Sequence, residues 1–114
     1  MGDGGSPVLG DTLALCAVLV EELDGVAAYA RLAARLEDSA GRLVEHVACA
    51  CRGIDRPGRL LAADAELCAL RAHADIAVEV GLLDEKLYLG LLEQADKVGR
   101  QLGGWLKSLR REER

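Results

Sequence analysis

The stretch VGLLDEKLYLGLLEQADKVGRQLGGWLKSLRR, residues 80–111, decides the fold. Gly81 follows a run of helix-forming residues and reads as a C′ glycine, the position where a helix ends in a left-handed residue. Two leucines later, Asp84 is placed to cap a new helix. From there Leu87, Leu91, Leu92, Ala95, Val98, Leu102, Leu106 and Leu109 recur mostly at intervals of three and four, the period of one buried helical stripe. Gly90, Gly99, Gly103 and Gly104 lie inside this pattern, and on helix propensity alone they cost roughly 3 to 4 kcal/mol relative to alanine. A helix that keeps them uses the missing Cβ atoms for close approach, and the expectation is that it meets partners.

Working back from Gly81, Leu60, Leu61, Leu67, Leu70, Ala74, Ala77 and Val78 form a preceding stripe that predicts a helix from about Pro57 or Gly58 to Val80. Arg56-Pro57-Gly58 is a turn signal. Upstream, Leu43, Val47, Ala50 and Ile54 predict a second helix capped by Asp38 or Ser39. Leu13, Cys16, Val20, Leu23, Ala27, Ala30 and Ala34 predict a first, from about Thr12 to Leu36, with Gly25 tolerated inside it. Met1 to Gly10 reads as a glycine-rich leader and residues 111–114 as a frayed tail. Four helices with short links imply an all-α, antiparallel up-down-up-down four-helix bundle over residues 11–110.

With 114 residues the chain is one domain. Phenylalanine is absent, so leucine, valine and alanine must build the core; a core that lean gains from association with further copies. No run reaches the roughly 18 uncharged apolar residues of a membrane span, and no basic residues precede the apolar run Leu13–Val20 as a secretory signal requires. A cytoplasmic protein is expected. Cys16, Cys49, Cys51 and Cys68 then read as reduced, buried, small apolar residues. The C-x-C pair faces two directions on a helix and lacks the spacing of a structural metal site.

Chemistry of catalysis is not visible. His46 and His73 fall on different helices, with acids nearby but no spacing that gathers them. Phosphate loops, nucleophile elbows and H-E-x-x-H or Glu-x-x-His motifs are absent. The expectation is a non-enzyme without catalytic residues, metal or cofactor.

Charge is uneven. Residues 97–114 hold six bases against Glu112 and Glu113, a net of +4, which leaves −9 for the remainder of a chain at −5. Cations complement the C-terminal pole of a helix dipole; repeated around a ring of subunits they would also form a belt for phosphates. Arg31, Arg35, Arg42, Arg52 and Arg56 could extend that face, though acids are interspersed. Tyr88 and Trp105 stand about 100° apart around the last helix. Trp105 suits either the core or an interface beside Gly103-Gly104.

Gly81-Leu82-Leu83, Tyr88, Val98-Gly99-Arg100 and Leu102-Gly103-Gly104-Trp105-Leu106-Lys107-Ser108-Leu109 together resemble the C-terminal helix of the accessory variability determinant proteins of diversity-generating retroelements. More loosely, they resemble the small four-helix-bundle proteins encoded within bacterial ribosomal RNA intervening sequences. The resemblance covers about a quarter of the chain well. It implies a homopentamer that binds a reverse transcriptase and its RNA, or DNA. On that reading Arg42, Lys97, Arg100, Lys107, Arg110 and Arg111 contact nucleic acid, and Tyr88, Gly99, Gly103, Gly104 and Trp105 form the oligomer interface. The region Arg35–Arg42 carries no aromatic residue and mixed charge. With the acidic net charge, that favours a second expectation, a protein-interaction or scaffold module without nucleic-acid binding.

Overall fold

The computed structural model describes residues 6–23 and 29–112, with the side chains of 6 and 20–23 left aside. They form four helices: α1 (Ser6–Leu23), α2 (Ala30–Cys51), α3 (Arg56–Glu79) and α4 (Glu85–Glu112). Each packs on its neighbours in chain order, and α1 closes the ring against α4. The most extensive seam is α2 on α3 and the thinnest is α1 on α4. Among the described residues the backbones of the diagonal pairs, α1 with α3 and α2 with α4, do not come close, so the four helices stand in a square around one core. This is the all-α up-down-up-down bundle expected from the sequence. Its long dimension is 50 Å against 20 and 18 Å across, as a 28-residue α4 at about 1.5 Å per residue requires.

The core is leucine, alanine and valine: Leu15 and Leu19 from α1, Leu36, Leu43 and Val47 from α2, Leu60, Leu67 and Leu70 from α3, and Leu91, Val98 and Leu102 from α4. Trp105 completes it, 8% exposed. The α2–α3 and α3–α4 links share one device. At the end of α2, Ile54 N–H bonds Cys49 O and Gly53 N–H bonds Ala50 O, with Gly53 at φ +79°. At the end of α3, Leu82 N–H bonds Ala77 O and Gly81 N–H bonds Val78 O, with Gly81 at φ +85°. Both are Schellman closures around a left-handed glycine. Asp84 caps α4 as expected, its Oδ1 accepting from Leu87 N–H at 2.7 Å.

The first half of the chain departs from expectation. α1 begins at Ser6, and Val8 is 1% exposed, so residues 6–10 belong to the bundle rather than to a leader. The first link lies between Leu23 and Ala30, not at Glu37–Ser39. Gly25 and Ala27 lie outside the described residues. Asp38 and Ser39 sit inside α2, and Ser39 is fully buried on the stripe Ala33, Leu36, Ala40, Leu43. That stripe is unbroken in period, and tertiary packing overrides the local preference of Asp-Ser for a cap.

On α1 the buried set is Val8, Thr12, Leu15, Leu19, while Leu13, Ala30 and Ala34 face solvent and Cys16 is half-buried. Thr12 hides the stripe because its hydroxyl donates to Val8 O at 2.6 Å and so tolerates burial. Ile54 and Leu61, expected inside, are 52% and 61% exposed. Arg111 and Glu112, expected in a frayed tail, belong to α4; residues 113 and 114 lie outside the described residues.

Candidate nucleic-acid interface

The antiparallel packing brings the α2–α3 link to the same end of the bundle as the last turns of α4. Arg56 fixes the relationship: its guanidinium lies 5.5 Å over the Trp105 ring and its Nε–H donates to Ala50 O at 2.8 Å. Arg59, half-buried, donates from Nη1 to His46 Nδ1 at 3.1 Å, since a guanidinium has no acceptor. Arg52 is exposed at the end of α2. Lys107, Arg110 and Arg111 are exposed on α4. This end therefore gathers six bases from three helices, with Asp55 and Glu112 beside them.

The macrodipole explains some of these cations but not all. Arg110 and Arg111 occupy the last turn of α4, and Arg52 follows α2, where the negative pole favours them. Arg56 and Arg59 occupy the first turn of α3, which holds no acid, and there the positive pole disfavours cations. The pole that opposes them is the one that binds anions.

The expected phosphate-contacting residues do not form one group. Arg42 lies midway along α2, where its Nε donates to Glu66 Oε2 at 2.9 Å across the α2–α3 seam. That hydrogen bond and the Glu66 charge raise the guanidinium above its ordinary value. Lys97 Nζ is 3.5 Å from Asp11 Oδ1 on α1, and Gln101 Nε2 donates to the same carboxylate at 2.8 Å. Arg100, Lys107 and Arg111 follow one another at seven and four residues, a single exposed row on α4. Among the described residues no ion pair engages them. Arg31 and Arg35 are at the opposite end, near the start of α2. Arg59 is the contributor the sequence reading left out; the run Arg52–Arg59, three bases in eight residues around a turn, was its signal.

The expected interface residues also separate. Gly99 faces α3 of its own chain, where an added Cβ would come 3.3 Å from Leu67 Cδ2 and 3.4 Å from Arg71 Nη2. Gly90, Gly103 and Gly104 face open space. Gly103 and Gly104 therefore leave a bare backbone step between Arg100 and Lys107. Gly90 instead lines a groove of about 440 Å³ between α1 and α4, with Leu15, Val18, Leu87 and Leu91 as its apolar wall. Tyr88 is half-buried, and its hydroxyl donates to Asp75 Oδ1 across the α3–α4 seam.

The thiols are half-buried at Cys16, Cys49 and Cys51 but exposed at Cys68, which corrects the expectation that all four are buried. Burial, then the nearby Glu37 charge, raises the Cys16 thiol above its ordinary value. Among the described residues no group of three or more His, Cys, Asp or Glu side chains could hold a metal ion, and no helix is long and apolar enough to cross a membrane. The chain matches no family model, no curated protein and no solved structure.

Proposed function

We propose that this chain is a non-enzymatic, oligomeric docking module that engages RNA, together with the protein carrying it, through the basic end of the bundle. The observation behind the reading is Arg56 and Arg59 held at the N-terminus of α3, beside Arg52, Lys107, Arg110 and Arg111. Trp105, Ala50 O and His46 hold these two guanidiniums in place, and their charge adds to that of this end without neutralising the α3 dipole. The resemblance of Gly81–Leu109 narrows the carrier protein to the reverse transcriptase of a diversity-generating retroelement, and the assembly to a homopentamer acting in the cytoplasm.

Binding of a labelled RNA oligonucleotide to the full chain, followed by anisotropy over a salt series, tests the first part. Affinity falls linearly on a log–log plot with salt, and each phosphate contact removed by Arg52→Glu, Lys107→Glu or Arg111→Glu lowers the slope by about 1. Salt-insensitive or undetectable binding removes RNA from the proposal. Co-purification with a neighbouring reverse transcriptase tests the second part, and a genome without a retroelement beside this gene counts against it.

A scaffold that binds protein alone is the second reading. It is favoured by the net charge of −5 and by the acids that already occupy Arg42 and Lys97.

A further inference from the structure

The arginines of this bundle are held in two different ways. At mid-bundle Arg42 and Arg71 pair with carboxylates, Glu66 across the α2–α3 seam and Asp96 across the α3–α4 seam. At the start of α3 the partners are neutral. Arg56 lies over the Trp105 ring and donates to Ala50 O, and Arg59 donates to His46 Nδ1 at 3.1 Å. Among the described residues no carboxylate forms an ion pair with either. A carboxylate would hold Arg59 roughly twice as strongly and cancel its charge. A neutral partner fixes the guanidinium and leaves the charge standing, so this end keeps two positioned, uncompensated cations.

Of the three neutral partners only His46 can change its charge. An indole and a peptide carbonyl stay neutral, whereas imidazole is the side chain that titrates between about pH 5 and 8. A guanidinium has no lone pair, so His46 Nδ1 supplies one and the ring carries its single proton on Nε2. A second proton has to enter at Nδ1, the atom that Arg59 engages. It turns the acceptor into a donor and sets two like charges face to face, and the bond opens. Among the described residues none of the other charged groups around His46 forms an ion pair with it. Arg42, one turn earlier on α2, is engaged by Glu66 of α3, and Glu45 is exposed beside it. Asp55 stands exposed in the link, and on α1 Asp11 faces Lys97 and Gln101 of α4.

We propose, resting on the RNA reading of this end, that His46 and Arg59 form a proton-linked phosphate site. An RNA phosphate replaces Nδ1 as the acceptor for Arg59, and the guanidinium turns aside to meet it. The freed ring takes a proton from solvent at Nδ1 and donates to the same phosphate. The bound state then holds one proton more than the free state. By linkage, affinity rises as pH falls, by up to about tenfold per pH unit. It levels off at either extreme, where the two states hold the same number of protons. The charge of Arg59 is constant throughout, so His46 alone sets how firmly this part of the basic end grips RNA.

The test is anisotropy of a labelled RNA oligonucleotide on the full chain, at constant ionic strength, from about pH 8 to about pH 5.5. Affinity climbs toward acid. His46→Gln, which keeps a neutral acceptor for Arg59, loses the part of the climb that one proton supplies. His73→Gln, about 21 Å beyond Arg59 along α3, keeps it. Binding calorimetry in buffers of different ionisation enthalpy counts up to about one proton more taken up by the parent than by His46→Gln. His46→Asn serves if circular dichroism shows that the glutamine variant has lost helicity. RNA binding with the same pH dependence and proton count in parent and variant overturns the site and leaves the docking reading standing. In the free chain at neutral pH, heteronuclear NMR of the histidine rings places the proton of His46 on Nε2. A ring protonated on Nδ1 overturns the site whether or not RNA binds. Absence of RNA binding at every pH removes the docking reading, and the site with it.

Discussion

The guanidinium of Arg56 lies 5.5 Å above the ring of Trp105 while its Nε–H reaches Ala50 O, so one side chain ties the start of α3 to the end of α2 and to the last third of α4. The carbonyl it serves belongs to the last turn of α2, where intrahelical donors run out. Replacing Arg56 by alanine removes a cation–π contact and a charge-assisted hydrogen bond. Urea denaturation should show a loss of about 1–3 kcal/mol. Arg56→Lys restores the charge over the ring but not the Nε donor, and should recover only part of that loss. A variant as stable as the parent would mean that the stack is incidental.

The glycines of α4 are predicted to answer substitution differently. At Gly103 nothing stands within 4 Å of an added Cβ. Gly103→Ala should therefore raise stability by up to about 1 kcal/mol in dilute protein, as helix propensity dictates. At Gly99 the same gain is opposed by Leu67 and Arg71, which must each give a few tenths of an ångström. Gly99→Ala should gain less than Gly103→Ala in urea melts, or lose stability. If Gly103 instead serves close contact between subunits, Gly103→Leu lowers the mass seen by light scattering while helicity persists.

The Tyr88–Asp75 bond gives the α3–α4 seam a pH limit. The hydrogen bond to Asp75, then burial and the Asp75 charge, raise the phenol above its ordinary value. The folded state therefore favours the neutral phenol over what the unfolded chain favours. Its contribution is fully present below the ordinary phenol pKa and disappears as pH rises through the raised one. In a Tyr29→Phe background, ultraviolet titration of the remaining tyrosinate should show a late transition that Asp75→Asn moves to lower pH. An unmoved transition would mean that Asp75 does not hold the phenol.

The second half of the bundle was legible because its signals are local and agree. Gly81, Asp84 and the three-and-four spacing of α4 all point to one arrangement, and each held. The first half misled because local and tertiary signals conflict there. Asp38-Ser39 looks like a cap, yet the stripe through Ala33, Leu36, Ala40 and Leu43 runs straight across it. Thr12 looks like a boundary, yet it is 0% exposed. The basic end was only half legible. Arg110 and Arg111 are adjacent in sequence, but Arg56 and Arg59 join them only through the antiparallel return of α3 beside α4. The α3 stripe was misread for a related reason. Leu61 has the residue type and spacing of a core position, and only the packing of α2 and α4 on either side shows which way it faces.

Ser39 offers the cleanest test of that conflict. Its side chain is fully buried, and among the described residues its hydroxyl has no hydrogen-bond partner. A buried hydroxyl without a partner carries a desolvation cost, and serine is a weaker helix former than alanine. The two effects have the same sign at this site. Ser39→Ala should raise stability by about 0.5–2 kcal/mol in urea denaturation, with the slope of the transition unchanged. If Ser39 capped a helix instead, the same substitution would cost about 1 kcal/mol. The direction of the change therefore decides between a continuous α2 and a helix that starts at residue 39.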